Sequence, residues 1–152
     1  MVTRELVLIL HNIRSALNVG ALFRTAEATR VTHIYLTGYT PTPRHTKVAK
    51  TALGAQDMMP WTYARQIGRV LGCLRDEGFF ITALEQSPRS VELFDFAVPV
   101  RLALILGTEV TGLTPTVLRH CTVVLEIPMY GKKESLNVSV SAGIVLFRLR
   151  EG

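Results

Sequence analysis

Five short runs of almost continuous apolar residues constrain the fold of this chain more than any other feature. They are rich in Val, Ile, Leu and Phe and cover residues 5–10, 32–37, 79–84, 101–106 and 122–127. Continuous rather than alternating apolar character predicts strands that are buried on both faces, as in a parallel sheet.

The segments between these runs show helical spacing. Ile67, Val70, Leu71 and Leu74 recur at the intervals of one helix face, and Gly78 then supplies a stop. Three more helices are predicted, at about 18–30, 115–120 and 137–149. Because strands and helices alternate, the predicted class is α/β, with a mostly parallel sheet and helices on both faces.

Composition narrows the class of protein. The 152 residues are 48% hydrophobic and 19% charged, which excludes a disordered chain and fits one domain. Cys73 and Cys121 predict buried free thiols, and no zinc ligand set can be assembled from them and the four histidines, so no metal is expected. The apolar run at 6–10 is too short for a signal or membrane segment, so we expect a cytoplasmic protein without membrane contact. The net charge of +5 favours a polyanionic partner.

Ligands of open parallel sheets bind beyond the carboxyl ends of the strands. The first such segment is HNIRSALNVGALFRTAEA, residues 11–28, which carries Asn12, Arg14, Asn18 and Arg24. An Asn here is ordinarily a cap or turn residue. On an ideal helix Ala28, Ala21 and Thr25 fall about 40°, 60° and 100° from Arg24. Arg24 is therefore either a surface charge or a side chain that lies close to another backbone or subunit.

The second segment is LILGTEVTGLTP, residues 104–115. Gly107 follows a predicted buried strand and allows close backbone approach by a ligand, and Gly112 allows a second tight turn. Leu113 and Thr114 stand where a P-loop needs Lys and Ser or Thr, so this is not a P-loop. Glu109 is either a neighbour of a helix N-cap or a group that faces a ligand.

The third segment is IPMYGKKESLNVSVSAG, residues 127–143. Ser135 alone is an ordinary helix cap, and there is no GxSxG elbow that would indicate a serine nucleophile. Ile127, Met129 and Leu136 are able to line a pocket for an adenine ring and a thioether, with Gly107 across from them.

Together the three segments resemble the TrmH (SpoU) family of SPOUT methyltransferases. The family pattern of an Asn followed six residues later by an Arg is matched by Asn18 and Arg24. Its ILGxExxGL pattern is matched at 105–113, with Glu109 in place, and its IPMxGxxxSLNVSV pattern at 127–140. The resemblance implies transfer of a methyl group from S-adenosylmethionine to an RNA ribose 2′-hydroxyl. It also implies a C-terminal deep trefoil knot and a homodimer.

The resemblance further implies roles for individual residues. The cofactor-binding residues would be Leu84, Gly107, Ile127, Met129, Ser135 and Leu136. The partner subunit would contribute Arg24 to each site, while Asn18, Glu109, Ser135 and Asn137 would orient the nucleotide and Arg24. A guanidinium has no acceptor and stays protonated, so we expect Arg24 to hold a phosphate and stabilise developing alkoxide rather than act as a base.

RNA binding is expected at the basic segment PTPRHTKVAK, residues 41–50, through Arg44, Lys47 and Lys50, together with Arg14. Lys132 and Lys133 would add to this charge. The alternative for 41–50 is an ordinary solvated loop between strand and helix.

Two further expectations concern domain content and substrate. Trp61 is expected in the core rather than as a stacking platform. We expect residues 1–152 to form a single methyltransferase domain without a separate RNA-binding domain, acting on tRNA ahead of rRNA. The alternative function is a non-catalytic RNA-binding module, which predicts damage to the catalytic motifs that is not seen.

Overall fold

The structure, a computed structural model, describes residues 3–108 and 110–152. Within these residues seven strands form one sheet: β1 Glu5–His11, β2 His33–Thr37, β3 Trp61–Ala64, β4 Phe80–Leu84, β5 Val91–Glu92, β6 Arg101–Leu106 and β7 Val123–Glu126. The helices are α1 Ala16–Ala28, α2 Thr46–Ala52, α3 Ala55–Met58, α4 Ile67–Asp76, α5 Pro115–Leu118 and α6 Val138–Glu151, and Leu93–Asp95 form a short 3₁₀ turn.

All neighbouring strands run parallel, in the order β3-β2-β1-β6-β4-β7-β5. The five predicted strands are present within one or two residues of their predicted bounds, and the α/β class is confirmed. None of the helices in the described part of the chain is long and apolar enough to cross a membrane.

The sheet is buried on both faces. Leu6, Leu8 and Leu10 of β1 point into one core cluster, with α1, α2, α3 and α6, while Val7 and Ile9 point into a second, with α4 and α5. Both faces of β1 are therefore apolar, which explains why its sequence does not alternate. Trp61 is half-buried and packs against the larger cluster, as predicted.

Expectations about local structure are wrong at three points. Cys73 is exposed rather than buried, whereas Cys121 is partly buried. The basic segment at 41–50 is not entirely a loop, because α2 begins at Thr46 after an N-cap in which the His45 ring accepts a hydrogen bond from the Lys47 N–H at 3.2 Å. Its apolar stripe is only Val48 and Ala52, too short to reveal a helix by spacing. Strands β3 and β5 were also not predicted, because they are short edge strands with exposed residues.

Candidate functional site

A cavity opens beyond the carboxyl ends of β4, β6 and β7, which lie close together in the sheet. The residues after these strands line it, together with the segment before α6 and the first turns of that helix. It contains all six residues predicted as cofactor-binding: Leu84, Gly107, Ile127, Met129, Ser135 and Leu136. Three separated segments of the sequence are thus brought to one place by the parallel sheet.

Gly107 lines the cavity and is also required by packing inside the protein. A Cβ on this residue would lie 2.5 Å from Leu113 Cδ2 and 2.7 Å from its Cγ. Leu113 is buried in the second core cluster, where it has little room to move. The close approach at Gly107 is therefore made by a core side chain of the same chain.

Gly112 and Glu85 hold the other end of this loop. Gly112 has φ +68°, and the Glu85 carboxylate fills the space that a Cβ would occupy. One oxygen of that carboxylate, Oε2, accepts a hydrogen bond from the Leu113 N–H at 2.8 Å. The tight turn predicted at Gly112 is confirmed, and Glu85 connects the loops after β4 and β6.

Among the described residues, seven that line the cavity were not predicted: Glu85, Gln86, Leu106, Thr108, Glu126, Val138 and Ser141. The Gln86 amide donates to the Glu134 carbonyl at 2.6 Å, which ties the loop after β4 to the segment before α6. Glu85 and Gln86 directly follow a predicted strand, so the rule that sites lie at carboxyl ends was sufficient to find them. Ser141 had no such signal, because only the packing of α6 turns its side chain towards the cavity.

Asn137, not Ser135, caps α6. Asn137 Oδ1 accepts hydrogen bonds from the Ser139 N–H at 2.8 Å and from the Ser139 hydroxyl at 2.6 Å. The interpretation of Ser135 as an ordinary helix cap is therefore wrong, and Ser135 lies exposed on the cavity wall. Asn137 contributes to the same region by fixing where α6 begins.

Arg24 lies in a second, separate groove. Its walls are formed by α1, by the end of α2 and by the first turn of α6: Ala21, Arg24, Thr25, Lys50, Thr51, Leu53, Ser139 and Val140. Of the residues that the structure describes, none lines both the groove and the cavity. The α6 first turns lie between them, because Ser139 and Val140 face the groove while Val138 and Ser141 face the cavity.

The other predicted residues fall in three places. Asn18 is in the first turn of α1, where its N–H donates to the N-cap Ser15 Oγ at 3.1 Å. Arg14 is exposed in the turn between β1 and α1. Glu109 lies outside the described residues.

The predicted basic residues are all exposed. Arg44 precedes α2, Lys47 and Lys50 lie on it, and Lys50 also lines the groove with Arg24. Lys132 and Lys133 are exposed in the segment before α6. Lys50 therefore connects the basic segment 41–50, which was predicted to bind RNA, to the groove.

The cavity suits a ligand with a flat ring and polar ends. Leu84, Ile127 and Met129 supply apolar surface, whereas Glu85 and Glu126 supply carboxylates that favour a cationic group. Across residues 3–108 and 110–152, no group of three or more His, Cys, Asp or Glu side chains is arranged to hold a metal ion.

Comparisons with known proteins are consistent across sequence and structure. The model of the SpoU rRNA Methylase family matches residues 5–147. The 23S rRNA (guanosine-2′-O-)-methyltransferase RlmB of Neisseria meningitidis is 34% identical over 145 residues, 95% of this chain and 58% of that protein. The tRNA (guanosine(18)-2′-O)-methyltransferase of Borreliella burgdorferi is 28% identical over 147 residues, 97% of this chain and 66% of that protein.

Among solved structures, an AdoMet-bound rRNA methyltransferase from Sinorhizobium meliloti aligns with a TM-score of 0.90 and 26% identity. The alignment covers 97% of this chain and 56% of that one. The chain thus spans between 56% and 66% of the length of these three proteins.

Proposed function

The chain belongs to the SpoU rRNA Methylase family, and on that basis we propose that it transfers a methyl group from S-adenosylmethionine to a ribose 2′-hydroxyl of RNA. The observation that carries the proposal is the single cavity formed by Leu84, Gly107, Ile127, Met129, Ser135 and Leu136. The relatives named above carry the names of RNA 2′-O-methyltransferases, and one structure holds AdoMet.

The cavity residues fit this cofactor. Ile127, Met129 and Leu136 provide apolar surface for the adenine faces, and polar groups such as Ser135 and Ser141 are placed for hydroxyl and amino-acid groups. The Glu85 and Glu126 carboxylates favour the positive sulfonium electrostatically. When bound, the cofactor supplies an activated methyl group on a good leaving group, so the chemistry requires no metal and no covalent enzyme intermediate.

Binding and turnover give the first test. Calorimetric titration with S-adenosylhomocysteine is expected to show one site per chain, and incubation with labelled cofactor and total RNA is expected to label ribose 2′-oxygens. A chain that binds RNA but not S-adenosylhomocysteine would instead be the non-catalytic RNA-binding module.

We further propose that the protein acts as a homodimer and that Arg24 serves the cavity of the partner subunit. In one chain Arg24 lies in a groove that shares none of its described residues with the cavity, and Ala21 and Thr25 leave room beside it for a second chain. There, Arg24 would hold the phosphate next to the target ribose by bidentate hydrogen bonds and stabilise the negative charge that develops on the 2′-oxygen as its proton passes to solvent.

Subunit complementation tests this arrangement. Arg24→Ala is expected to lower turnover by about 10²–10³-fold, and Ser141→Leu, which fills the cavity, is expected to abolish cofactor binding. Mixed in equal amounts and re-equilibrated, the two variants are expected to recover about a quarter of wild-type activity, since half of the dimers hold one intact site. No recovery in a mixture shown to contain heterodimers would mean that Arg24 does not act across the interface. Near-native turnover by Arg24→Lys would refute the bidentate clamp.

The proposed orienting role of Asn137 is separable from its cap. Asn137→Ser retains an N-cap, whereas Asn137→Ala removes it at a cost of about 1 kcal/mol. If Asn137 also contacts the nucleotide, Asn137→Ser keeps wild-type stability and loses activity; if it only caps α6, Asn137→Ser keeps both. The orienting roles of Asn18, Glu109 and Ser135 stay predictions.

The RNA class stays a prediction as well, with tRNA ahead of rRNA. The relatives above are named for 23S rRNA at 34% identity and for tRNA at 28% identity, so both RNAs belong in the assay. Contacts of Arg14, Arg44, Lys47 and Lys50 with phosphates are expected to make binding strongly dependent on salt. Cytoplasmic location stays a prediction.

The single domain over residues 1–152 and the trefoil knot are proposals too. The knot rests on family membership and is supported by the segment before α6, which lines the same cavity as the loops after β4 and β6. Pulling the two chain ends apart in an optical trap tests it. A knotted chain extends to less than its full contour of roughly 3.3–3.6 Å per residue, whereas an unknotted chain reaches that length.

A further inference from the structure

A second surface lies on the same edge of the sheet as the cavity, at the carboxyl ends of β1, β2 and β3. Two tyrosines are exposed there, Tyr39 after β2 (54% exposed) and Tyr63 in β3 (45% exposed). We define the tyrosine surface as Tyr39 and Tyr63 together with Arg14 and Arg65, which are exposed in the segments that follow β1 and β3. Single exposed aromatics are common on proteins, so the argument depends on how this pair is held and on what surrounds it.

The turn that carries Tyr39 is fixed from both sides. The Tyr39 N–H donates to Asn12 Oδ1 at 3.1 Å, and Asn12 itself has φ +55°. The Tyr63 hydroxyl donates to the Gly38 carbonyl at 2.7 Å, and the Gly38 N–H donates to the Arg65 carbonyl at 3.2 Å. The backbone is therefore rigid where the aromatic ring is exposed, which lowers the entropy that binding would cost.

Glycine is needed at position 38 for this arrangement. Gly38 has φ +65°, and a Cβ there would collide with the Asn12 side chain. The turn is thus built around the contact between Asn12 and Gly38, and that contact presents Tyr39 outward.

The charge around the tyrosines has one sign. The three segments that meet here, residues 11–14, 37–45 and 61–66, contain Arg14, Arg44 and Arg65 and no Asp or Glu. Aromatic faces among cations are the combination that binds single-stranded nucleic acid, since bases stack on the rings and phosphates meet the cations.

The position of the surface suits an RNA already bound at the cavity. From β2 to β4 the sheet order passes through β1 and β6, which is three strand spacings or roughly 14 Å at 4.7–4.9 Å each. That distance is a few nucleotides. An RNA strand whose target ribose lies at the cavity is therefore able to place a neighbouring unpaired base on Tyr39 or Tyr63.

We propose that the tyrosine surface stacks unpaired bases that flank the target nucleotide, so that the protein selects RNA with an open loop at this position. This inference rests on the proposed RNA methyltransferase function and adds a specificity surface to it. Paired RNA offers no free base faces, and only its phosphates reach the arginines.

The test compares two labelled RNAs with equal numbers of phosphates, a hairpin with an unpaired loop and a fully paired duplex. Tyr39→Ala and Tyr63→Ala are expected to weaken hairpin binding by about 5- to 150-fold and to leave duplex binding and the salt dependence unchanged. Tyr39→Phe keeps the ring and is expected to bind like wild type. Arg65→Gln is expected to weaken both RNAs and to reduce the salt slope by about 0.7–0.9.

Phe94→Ala is the matched control, because Phe94 is 54% exposed and lies against the last turns of α6, where its carbonyl accepts from Arg148. Urea denaturation and S-adenosylhomocysteine titration check that each tyrosine variant keeps its fold and its cavity. If wild type binds the hairpin and Tyr39→Ala behaves like Phe94→Ala, or weakens both RNAs equally, the tyrosine surface is refuted and the proposed function stands. If wild type binds neither RNA, the proposed function fails.

Discussion

Of the substitutions in the cavity, Gly107→Ala has the clearest expected effect, because Gly107 packs tightly against Leu113. The new methyl group would lie 2.5 Å from Leu113 Cδ2, whereas non-bonded carbons meet at about 3.5–4.0 Å. Leu113 must therefore move by about 1 Å, and it is only 7% exposed. Its N–H is also held by the Glu85 carboxylate at 2.8 Å. Neither the side chain nor its backbone gives way easily.

The expected cost is about 1–3 kcal/mol in the free energy of unfolding, the usual range for an extra methyl group in a packed core. Gly72→Ala is the matched control. It adds the same atoms inside α4, and nothing lies within 4 Å of the new Cβ, so it is expected to stabilise by about 0.5–1 kcal/mol. Urea denaturation measures both, read from the midpoint at unchanged m-value.

Gly107→Ala should weaken ligand binding in the cavity as well as lower the stability of the fold. Because Gly107 and the following residue line the cavity, displacement of the loop is expected to weaken S-adenosylhomocysteine binding at least tenfold, measured by calorimetry. Gly72→Ala is expected to leave the dissociation constant unchanged.

A double-mutant cycle decides whether Leu113 is the cause. Leu113→Ala alone is expected to cost about 2–5 kcal/mol, but it removes the atoms with which the new methyl group collides. Adding Gly107→Ala to Leu113→Ala should therefore cost almost nothing more. The steric account would be refuted if the two costs were additive. It would also be refuted if Gly107→Ala and Gly72→Ala changed the free energy of unfolding in the same direction.

Three other predictions rest on single groups. Arg150 donates to the carbonyls of Thr29, Arg4 and Arg30 at 2.8, 2.8 and 2.7 Å. Arg150→Met should therefore lower the free energy of unfolding by about 2–4 kcal/mol, a range already reduced because Arg150 is partly exposed. Urea denaturation measures this, and a loss below about 0.5 kcal/mol would contradict it. Burial raises the pKa of Cys121 from 9.0 to about 11. Iodoacetamide at pH 8 should therefore alkylate the exposed Cys73 first, and Cys121 about 100-fold more slowly than an ordinary thiol. Peptide mass spectrometry follows both reactions, and equal rates at the two cysteines would contradict this prediction. Burial lowers the pKa of His11 and of His33 from 6.5. Because the unfolded chain therefore takes up protons at a higher pH than the folded chain, the free energy of unfolding should fall as pH falls below 6.5. The double variant His11→Gln, His33→Gln should show a weaker dependence on pH.

The central strands were predictable because burial on both faces of the sheet selects apolar residues at every position of the strand. In β1 and β6 each position is apolar, whichever face it points to. Edge strands do not show this continuous apolar pattern, because part of their surface is exposed. Strand β3 has Thr62 and Tyr63 exposed, and β5 is two exposed residues held by β7, so pairing partners rather than composition define them.

The site divides in the same way. Motif residues at strand ends, such as Gly107 and Ile127, were predictable because the parallel topology sends every carboxyl end to one edge. The tyrosine surface was not, since Tyr39 and Tyr63 are adjacent only after β2 and β3 pair, and exposure is not a property of the residue type. Gly107 was predicted from close approach by a ligand, whereas in the structure the atoms that approach it most closely belong to a core leucine, Leu113.

Helix α6 links the two halves of the proposed site through its first turn. Val138 and Ser141 face the cavity while Ser139 and Val140 face the groove with Arg24, and Asn137 fixes the residue at which this turn begins. A shift of α6 by one residue would rotate the turn by about 100° and exchange the side chains offered to the two surfaces. The cap therefore controls cofactor residues and partner-facing residues together. Among the described residues, Arg24 lines the groove, and no Arg or Lys lines the cavity. In the proposed mechanism the cation therefore comes from a second chain docked on the groove, which makes assembly a condition for turnover.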